Sequence, residues 1–202
     1  MSKTYVMTDI HGRLSMLKAL LAQIPDDSKL VFLGDYVDRG SESREVVALI
    51  RSLPNAVCLR GNHEDMLCAD DPSMWLANGG ASTLMSYRHP LTGGVDWAAM
   101  DSDKEWFQSL PRIHSDTHRV YVHAGVLPMV SLDDQPESVT QWLRYDPKDR
   151  DIGWRDKHVV HGHTPGILGL VHRTCLDGGM AQMACGVFDD DTPGGPVEML
   201  WA

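Results

Sequence analysis

The first third of the chain alternates short β-rich runs with helical patterns, and this alternation constrains the fold more than any other feature. Strand and helix alternate, in chain order, over residues 4–8, 14–23, 29–33, 44–53 and 56–60. This order predicts a parallel sheet with right-handed crossovers. Ligands of such sheets bind beyond the carboxyl ends of the strands. We therefore expect the polar segments 9–12, 34–40 and 61–64 to meet at one edge of the sheet.

The rest of the chain predicts a helical insertion followed by a second sheet. Helical patterns at 75–87 and 95–110 flank the breaker-rich segment 90–94, which predicts a helical insertion at about 70–111. Strand-like runs follow at 119–123, 158–161, 174–177, 183–189 and 197–201. The acidic, Gly- and Pro-rich stretch 189–196 predicts a surface hairpin loop.

Length, composition and charge limit the classes of protein to which this chain can belong. A chain of 202 residues with 43% hydrophobic residues can bury one sizeable core, so we expect a single domain over 1–202. Its formal net charge of -10 argues against a surface that grips nucleic acid. The sequence has neither a signal-like N-terminus nor 18 consecutive apolar residues. These features predict a soluble, cytoplasmic protein without a membrane partner.

The four cysteines predict neither a disulfide framework nor a nucleophile. They show no CxxC spacing, and no Cys-x5-Arg stretch is present that would cradle a phosphate. We expect reduced thiols.

Polar residues able to bind metals follow five of the predicted strands. Asp9 and His11 lie two residues apart as the first strand ends, which favours chelation, although Asp9 could also cap the next helix. The other strand ends carry GDYVDRG at 34–40, GNHE at 61–64, HAG at 123–125 and HGHT at 161–164. Each motif alone could be a capped helix or a satisfied polar group. Five together favour a metal site.

These five motifs resemble those of the calcineurin-like metallophosphoesterases, and GDYVDRG with GNHE is similar to the phosphoprotein phosphatase family. The WLANGG segment at 75–80 resembles one found in short bacterial and phage serine/threonine phosphatases. The resemblance implies an α/β fold: a four-layer α/β/β/α sandwich with two mixed sheets and a dinuclear metal site at one edge.

The resemblance also implies a ligand set for two metal ions. Asp35 would bridge both ions. Asp9 and His11 would complete the first site, and the second would be completed by Asn62, His123 and His163. Oxygen and nitrogen donors without thiolate suit Mn, Fe or Zn, and we expect Mn.

Two histidines at the end of one strand could both face this site. In the resembling phosphatases the ligand is the histidine between glycine and threonine, which is His163 here. His161 stands where that group often has an apolar residue. It could ligate, or it could hydrogen-bond to a ligand.

The same resemblance suggests catalytic roles for residues that flank the ligands. His63 would be the general acid, oriented by Asp38, which could instead be a structural turn carboxylate. Arg39 and Arg60 would clamp phosphate, since a guanidinium donates two parallel hydrogen bonds. Arg144, in a WLR sequence, is a third clamp candidate or a surface salt-bridge residue.

We expect from this resemblance a serine/threonine protein phosphatase that acts on phosphorylated proteins or peptides, with some activity on phosphotyrosine. The attacking water would bridge the two metals. The alternative is a dinucleoside polyphosphate hydrolase that cleaves diadenosine tetraphosphate, because those enzymes share the core motifs but are typically longer. A third alternative is a non-catalytic module that binds a phosphorylated partner. The sequence departs from the family at Gly178-Gly179-Met180 and in the acidic run 189–191.

Overall fold

Two five-stranded sheets form the framework of the protein. The structure is a computed structural model that describes residues 2–146 and 151–202. Within this part of the chain the strands are β1 (Lys3–Met7), β2 (Lys29–Phe32), β3 (Ala56–Cys58), β4 (Ile113–Ser115), β5 (Arg119–Val122), β6 (His158–His161), β7 (Leu168–Gly169), β8 (Arg173–Cys175), β9 (Ala184–Asp189) and β10 (Glu198–Trp201). The first sheet has the order β10-β9-β1-β2-β3, and the second has the order β4-β5-β6-β8-β7.

Both sheets are mixed, as the sequence predicts. β1, β2 and β3 pair in parallel, and β9 joins β1 in antiparallel orientation. In the second sheet β5, β6 and β8 are parallel, while β4 and β7 form antiparallel edges. The two-residue β7 and three-residue β4 are not predicted, because such short runs carry little periodic signal.

Seven α-helices connect the strands in the described residues: α1 (Leu14–Leu21), α2 (Ser43–Arg51), α3 (Asn62–Cys68), α4 (Ser73–Trp75), α5 (Ala81–Ser86), α6 (Trp97–Ser109) and α7 (Glu137–Trp142). A 3₁₀ turn covers Leu132–Asp134. The helical pattern predicted at 75–87 is interrupted by a π-helical turn at Leu76–Gly80, where Gly79 has a φ of 107°. A left-handed residue cannot continue a right-handed helix, so the pattern divides into α4 and α5.

The main core lies between the sheets and under the first two helices. Facing strands bring together the buried side chains of Val6, Val31, Leu33, Leu59, Tyr121, Val160, Leu176 and Phe188. The other face of the first sheet packs against helical residues that include Leu17, Leu20, Val46, Val47 and Ile50. Burying each such side chain contributes about 1.5–3 kcal/mol. On the outer face of the second sheet, Val126 and Trp154 come from loops and cover the strand residues Val120, Val122 and Val159.

The carboxyl ends of five strands carry the polar motifs. β1, β2 and β3 lead into Asp9, Asp35 and Asn62, and β5 and β6 lead into His123 and His163. The paired sheets bring these ends to one edge, as expected for ligand sites of parallel sheets. All four cysteines are free thiols. Among the described residues, no helix is both long and apolar enough to cross a bilayer.

Candidate metal centre

Backbone strain is concentrated in the loops at this edge. Six of the eight described non-glycine residues with positive φ lie there: Asp9, His11, Asp35, Asp38, Arg39 and His163. Each such conformation costs on the order of 1–3 kcal/mol, so the surrounding hydrogen bonds must hold it in place. These turns direct side chains from separate loops into one cluster.

Asp9 joins the two sheets. Its Oδ2 accepts hydrogen bonds from the Thr8 hydroxyl at 2.6 Å and from the His163 backbone N–H at 3.1 Å. Arg13 holds the same turn by donating to the carbonyl oxygens of Asp9 and Ile10. The second oxygen of Asp9 is left facing His11, at 3.9 Å from its Nε2.

Asp35 lies at the centre of the cluster. Its Oδ2 is 3.6 Å from His11 Nε2 and 3.9 Å from His63 Nε2, and its Oδ1 is 3.5 Å from His123 Nε2. Two groups of potential ligand atoms, His11–Asp35–His63 and Asp9–Asp35–His123, therefore share this carboxylate. Burial, and next the charge of Asp9, raise the pKa of Asp35 well above its usual value.

Two histidines present lone pairs to the cluster. The Nδ1 of His11 lies 2.8 Å from the Val37 carbonyl oxygen, which can only accept, so Nδ1 carries the proton. The Nδ1 of His63 lies 2.6 Å from Asp38 Oδ2, a carboxylate oxygen, so this Nδ1 also carries the proton. Arg39, which can only donate, contacts the Nε2 atoms of both rings at 2.8 and 3.0 Å. Neutral imidazole is the form that binds metal, so either Nε2 could bind a metal in place of its contact with Arg39.

Asn62 faces the other two imidazoles. Its Oδ1 lies 2.8 Å from His123 Nε2 and 3.1 Å from His163 Nδ1. The other nitrogen of His123 lies 3.2 Å from the Leu33 carbonyl, and burial lowers the pKa of both His123 and His163 to about 3. A neutral imidazole has one N–H, and both oxygens that face His123 are acceptors, so one of its nitrogens directs a lone pair at an oxygen; a cation between His123 and Asn62 would relieve such a contact.

The donor set fits divalent metal ions. Asp9 and Asp35 are 2% exposed, and their charges are buried beside neutral imidazoles. Nε2 of buried His163 has no hydrogen-bond partner in the described part of the chain. Carboxylate, amide and imidazole donors without thiolate are typical of Mn, Fe and Zn sites. All six predicted ligands lie in one cluster, and their assignment to individual ions remains a prediction.

The predicted acid, His63, belongs to a buried hydrogen-bond chain. Asp38 is fully buried and accepts from His63 Nδ1 through Oδ2. Its Oδ1 accepts from Trp75 Nε1 at 2.8 Å and from the Thr83 hydroxyl at 2.7 Å. The predicted helical insertion thus supplies two donors that fix the carboxylate behind the imidazole.

Two adjacent glycines in the insertion permit this contact. Gly79 passes so close to Arg39 that a Cβ would lie 3.0 Å from its backbone nitrogen, and its carbonyl accepts the Arg39 N–H. A Cβ on Gly80 would lie 2.5 Å from the Trp75 indole. The two glycines of the NGG sequence therefore allow the insertion to pack closely enough to position Arg39 directly and Asp38 through Trp75.

The three predicted arginine clamps lie in different environments. Arg39 is exposed at the mouth of the cluster. Arg144 is exposed, and its charge acts on His163. Arg60 is paired with Asp65, which Arg112 also contacts at 3.3 Å. A carboxylate therefore already engages the Arg60 guanidinium.

His161 and His163 point to different surroundings. The Nδ1 of His161 lies 3.0 Å from the Gly162 carbonyl, whereas the Nδ1 of His163 lies 3.1 Å from Asn62 Oδ1. The His161 ring lies 5.2 Å from the Tyr145 ring, whereas the His163 ring lies 5.1 Å from His123. The structure thus brings His163, and not His161, into the cluster.

Three residues without a predicted role also shape the site. Glu64 is fully buried and accepts hydrogen bonds from the backbone N–H groups of Asp35, Tyr36, Val37 and Gly61. Glu64 is the last residue of the GNHE sequence, and its place in that motif could have identified it as part of the site. Arg13 also binds the Gly179 carbonyl, which ties the C-terminal loop to the site. Burial, with the charge of Asp9 as the next cause, raises the pKa of Asp177 to about 7.

Comparison with known proteins supports the fold and its chemistry. A family model described as calcineurin-like phosphoesterase matches residues 2–187. A structure described as that of a candidate diadenosine tetraphosphatase aligns over 100% of this chain and 93% of its own, with a TM-score of 0.72 and 23% identity. The cold-active protein-tyrosine phosphatase of a Shewanella species aligns over 92% of this chain and 75% of its own, with a TM-score of 0.61 and 17% identity.

Curated relatives include bacterial proteins named symmetrical bis(5'-nucleosyl)-tetraphosphatase. The chain is 34% identical to that of Pectobacterium carotovorum over 90% of this chain and 69% of the relative. It is 37% identical to that of a Marinomonas species over 62% of this chain and 45% of the relative. The chain thus spans about half to two thirds of the length of these relatives.

The expected protein phosphatase activity, with phosphorylated proteins or peptides as substrates, is wrong by these comparisons. Serine/threonine-protein phosphatase 2 of Escherichia coli matches only 38% of this chain, with 39% identity over 83 residues. The relatives that match most of the chain carry a nucleotide hydrolase name. The core motifs misled because the two classes share them, and NGG misled because it packs against Arg39 and Trp75 and so belongs to the structure around those motifs.

Proposed function

Because the chain belongs to the calcineurin-like phosphoesterase family, we propose that this metal-dependent hydrolase cleaves dinucleoside polyphosphates such as diadenosine tetraphosphate at the centre of the phosphate chain. The observation that carries this proposal is the match, over 90% of the chain, to a symmetrical bis(5'-nucleosyl)-tetraphosphatase. Symmetrical cleavage would release two molecules of ADP.

The cluster around Asp35 would hold two divalent ions. Its carboxylate, amide and imidazole donors suit Mn, Fe and Zn, and of these we propose Mn. When bound, such ions lower the pKa of a water and stabilise the negative charge of a phosphoryl group in the transition state. Asp9, His11 and Asp35 would hold one ion, and Asp35, Asn62, His123 and His163 would hold the other.

The chain's own residues would bind the phosphate and manage the proton. Arg39 is exposed beside the two imidazoles, so it can turn its N–H groups to a bound phosphoryl group. The Nδ1 proton of His63 is held by Asp38, and Nε2 faces the cluster. In the reaction a water oxygen would bond to an inner phosphorus and lose its proton to solvent as the bridging P–O bond breaks. To act as the acid, His63 would carry a second proton on Nε2, in place of the contact with Arg39, and would give that proton to the leaving oxygen of ADP.

A substrate with two nucleosides also needs surfaces for its bases. Trp142 is 41% exposed, and its ring lies 5.9 Å from that of His163. An exposed indole at the edge of a phosphate site offers a stacking face for a base. Exposed Arg144 lies two residues further along the chain, where its charge can contact the polyphosphate.

The test is a comparison of substrates with product analysis. We expect the Mn-loaded protein to convert diadenosine tetraphosphate to ADP alone, with a higher kcat/KM than for p-nitrophenyl phosphate or a phosphoserine peptide. Chromatography of the products distinguishes ADP from a mixture of ATP and AMP. The same preparation carrying Asp35→Asn is the control for a contaminating hydrolase.

Either of two results would overturn the proposal. One is a higher kcat/KM on the phosphopeptide than on diadenosine tetraphosphate. The other is release of ATP and AMP, which would mean attack at an outer phosphorus.

A further inference from the structure

The guanidinium of Arg13 lies between two loops and binds backbone carbonyl oxygens of both. Its Nε donates to Ile10 O at 2.9 Å, and one terminal nitrogen donates to Asp9 O. The other terminal nitrogen donates to Gly179 O at 2.7 Å and to Gln182 O at 3.2 Å. These contacts engage four of the five N–H groups that a guanidinium offers. Arg13 therefore joins the turn that carries Asp9 to the loop that carries Gly179.

The first of these segments is strained. Asp9 has a φ of 50° and His11 a φ of 46°. Left-handed backbone is unfavourable for residues with a Cβ, so hydrogen bonds from the surroundings must hold this turn. Arg13 supplies two of them, at the carbonyl oxygens of Asp9 and Ile10. The direction in which the proposed ligand Asp9 points thus depends on Arg13.

The second segment, residues 178–182, lies at the surface, and we call it the C-terminal loop. Its last three residues are exposed. Gly179 has a φ of 66°, and its N–H donates to Asp177 Oδ1 at 2.8 Å. Exposed loops of this kind open more readily than packed strands do. The two carbonyl contacts with Arg13 therefore contribute directly to holding the C-terminal loop closed.

Ordering one segment should make it easier to order the other. A cation bound to the Asp9 carboxylate would help to hold the turn, and with it the two carbonyl oxygens that bind Arg13. Fixing a free arginine side chain costs conformational entropy. A guanidinium already held by the turn can bind the C-terminal loop without paying that cost again. By thermodynamic linkage, closing the loop must then strengthen metal binding by the same factor.

The charge of Arg13 predicts the opposite effect on a metal. Arg13 is half-buried, and the charge of Asp9 acts on it. A cation held beside Asp9 repels a second cation, so charge alone would weaken metal binding. The two possible roles of Arg13, as a charge and as a link between segments, therefore predict changes of opposite sign when the charge is removed.

We propose that Arg13 is a positioning residue that couples metal binding at Asp9 to closure of the C-terminal loop. Metal binding would favour the closed loop, and the closed loop would favour metal binding. The proposal rests on the metal site of the proposed function, and it does not depend on which phosphate ester is cleaved.

The first test separates the two roles of Arg13 by Mn calorimetry. Arg13→Gln removes the charge, whereas Arg13→Lys keeps it on a compact ammonium group that lacks the fork needed to bind both segments. We expect both variants to bind Mn about tenfold more weakly than the wild type. Tighter binding in Arg13→Gln, with wild-type binding in Arg13→Lys, would show that Arg13 acts through its charge alone and would overturn the proposal.

The second test loosens the loop without changing Arg13. Gly179→Ala places a Cβ at a φ of 66°, where its nearest neighbour would be Pro165 Cβ at 3.7 Å, so strain and not a clash is introduced. Gly93→Ala is the matched control, because it imposes the same strain at a φ of 69° with nothing within 4 Å. We expect Gly179→Ala to weaken Mn binding about three- to tenfold and Gly93→Ala to keep the wild-type affinity.

The double variant Arg13→Lys/Gly179→Ala completes a cycle. If the loop acts on the metal through Arg13, adding Gly179→Ala to Arg13→Lys should not weaken Mn binding further. A further loss as large as in the single Gly179→Ala variant would mean that the loop acts on the metal by another route. That result would overturn the coupling role of Arg13.

Hydrogen exchange measures the loop directly and separates this proposal from the proposed function. We expect Mn to slow exchange of the Gly179 N–H by about fivefold or more in the wild type, and not in Arg13→Lys. If the wild type binds Mn without any change in this exchange, the coupling is wrong and the proposed function stands. If the wild type binds no Mn, the metal site of the proposed function fails, and this proposal fails with it.

Discussion

The cluster around Asp35 and the surface beside it are built differently. In the cluster, buried carboxylates and imidazoles are fixed by backbone turns with positive φ and by partners such as Glu64 and Arg13. In the adjoining surface, Trp142 and Arg144 are exposed. From this difference we expect the fixed motifs to determine the chemistry and the exposed surface beside them to determine the substrate.

The largest effect is expected from Asp35→Asn. An amide cannot bridge two cations as a carboxylate can, so we expect loss of both metal ions and a fall in kcat of about 10³-fold or more. Metal analysis and turnover are the measurements, and Asp101→Asn, at an exposed position on α6, is the matched control. Two metals per chain and wild-type turnover in Asp35→Asn would contradict the role of the cluster.

The cluster and the contacts around it also differ in how well the sequence predicts them. The βαβαβ order and the polar strand ends could be predicted because periodicity and motif position depend on the local chain. The direction of His161, the pairing of Arg60 with Asp65, and the contacts of Trp75 and Thr83 with Asp38 could not. These depend on how distant segments pack. The substrate class was missed for a different reason, because the two classes of enzyme share the core motifs.

His63→Asn tests whether the cluster contains an acid separate from its ligands. We expect kcat on an alkyl phosphate, whose leaving alkoxide needs protonation, to fall by about 10²–10⁴. The loss on p-nitrophenyl phosphate should be smaller, because its leaving group needs less protonation. Metal content should stay at the wild-type value. Loss of metal would instead identify His63 as a ligand, which its 3.9 Å distance from Asp35 would allow.

Alanine substitutions at His163 and His161 test which of the two histidines belongs to the metal cluster. We expect His163→Ala to lose one metal ion and to require more than about 10–100 times the wild-type Mn concentration for activity. His161→Ala should retain two metals, because its ring lies beside Tyr145, whereas the ring of His163 faces His123 and Asn62. Equal depletion in both variants, measured by metal analysis at matched Mn concentrations, would extend the cluster to His161.

Trp142→Ala tests the exposed surface beside the cluster. Loss of a stacking face should weaken binding of diadenosine tetraphosphate by about 5–100-fold, since stacking on an aromatic side chain contributes about 1–3 kcal/mol per base. KM on p-nitrophenyl phosphate should change much less. Trp97→Ala, which removes an indole that is 59% exposed at the start of α6, is the matched control. An equal change on both substrates would mean that Trp142 supports His163 and not a base.

The smallest effect is expected where the insertion meets the cluster, at Thr83. Thr83→Val removes the hydroxyl that donates to Asp38 Oδ1 and that accepts from the Asp38 backbone N–H, while it preserves side-chain volume. Of these two hydrogen bonds, the one to the Asp38 carboxylate bears on His63. A hydrogen bond is worth about 0.5–1.5 kcal/mol, so kcat on an alkyl phosphate should fall roughly 2–10-fold. Thr83→Ser retains the hydroxyl and should keep wild-type turnover. If the hydroxyl acts through Asp38 and His63, the loss in Thr83→Val must be larger on the alkyl phosphate than on p-nitrophenyl phosphate. A uniform loss on both, accompanied by a lower melting temperature, would assign Thr83 to folding of the insertion alone.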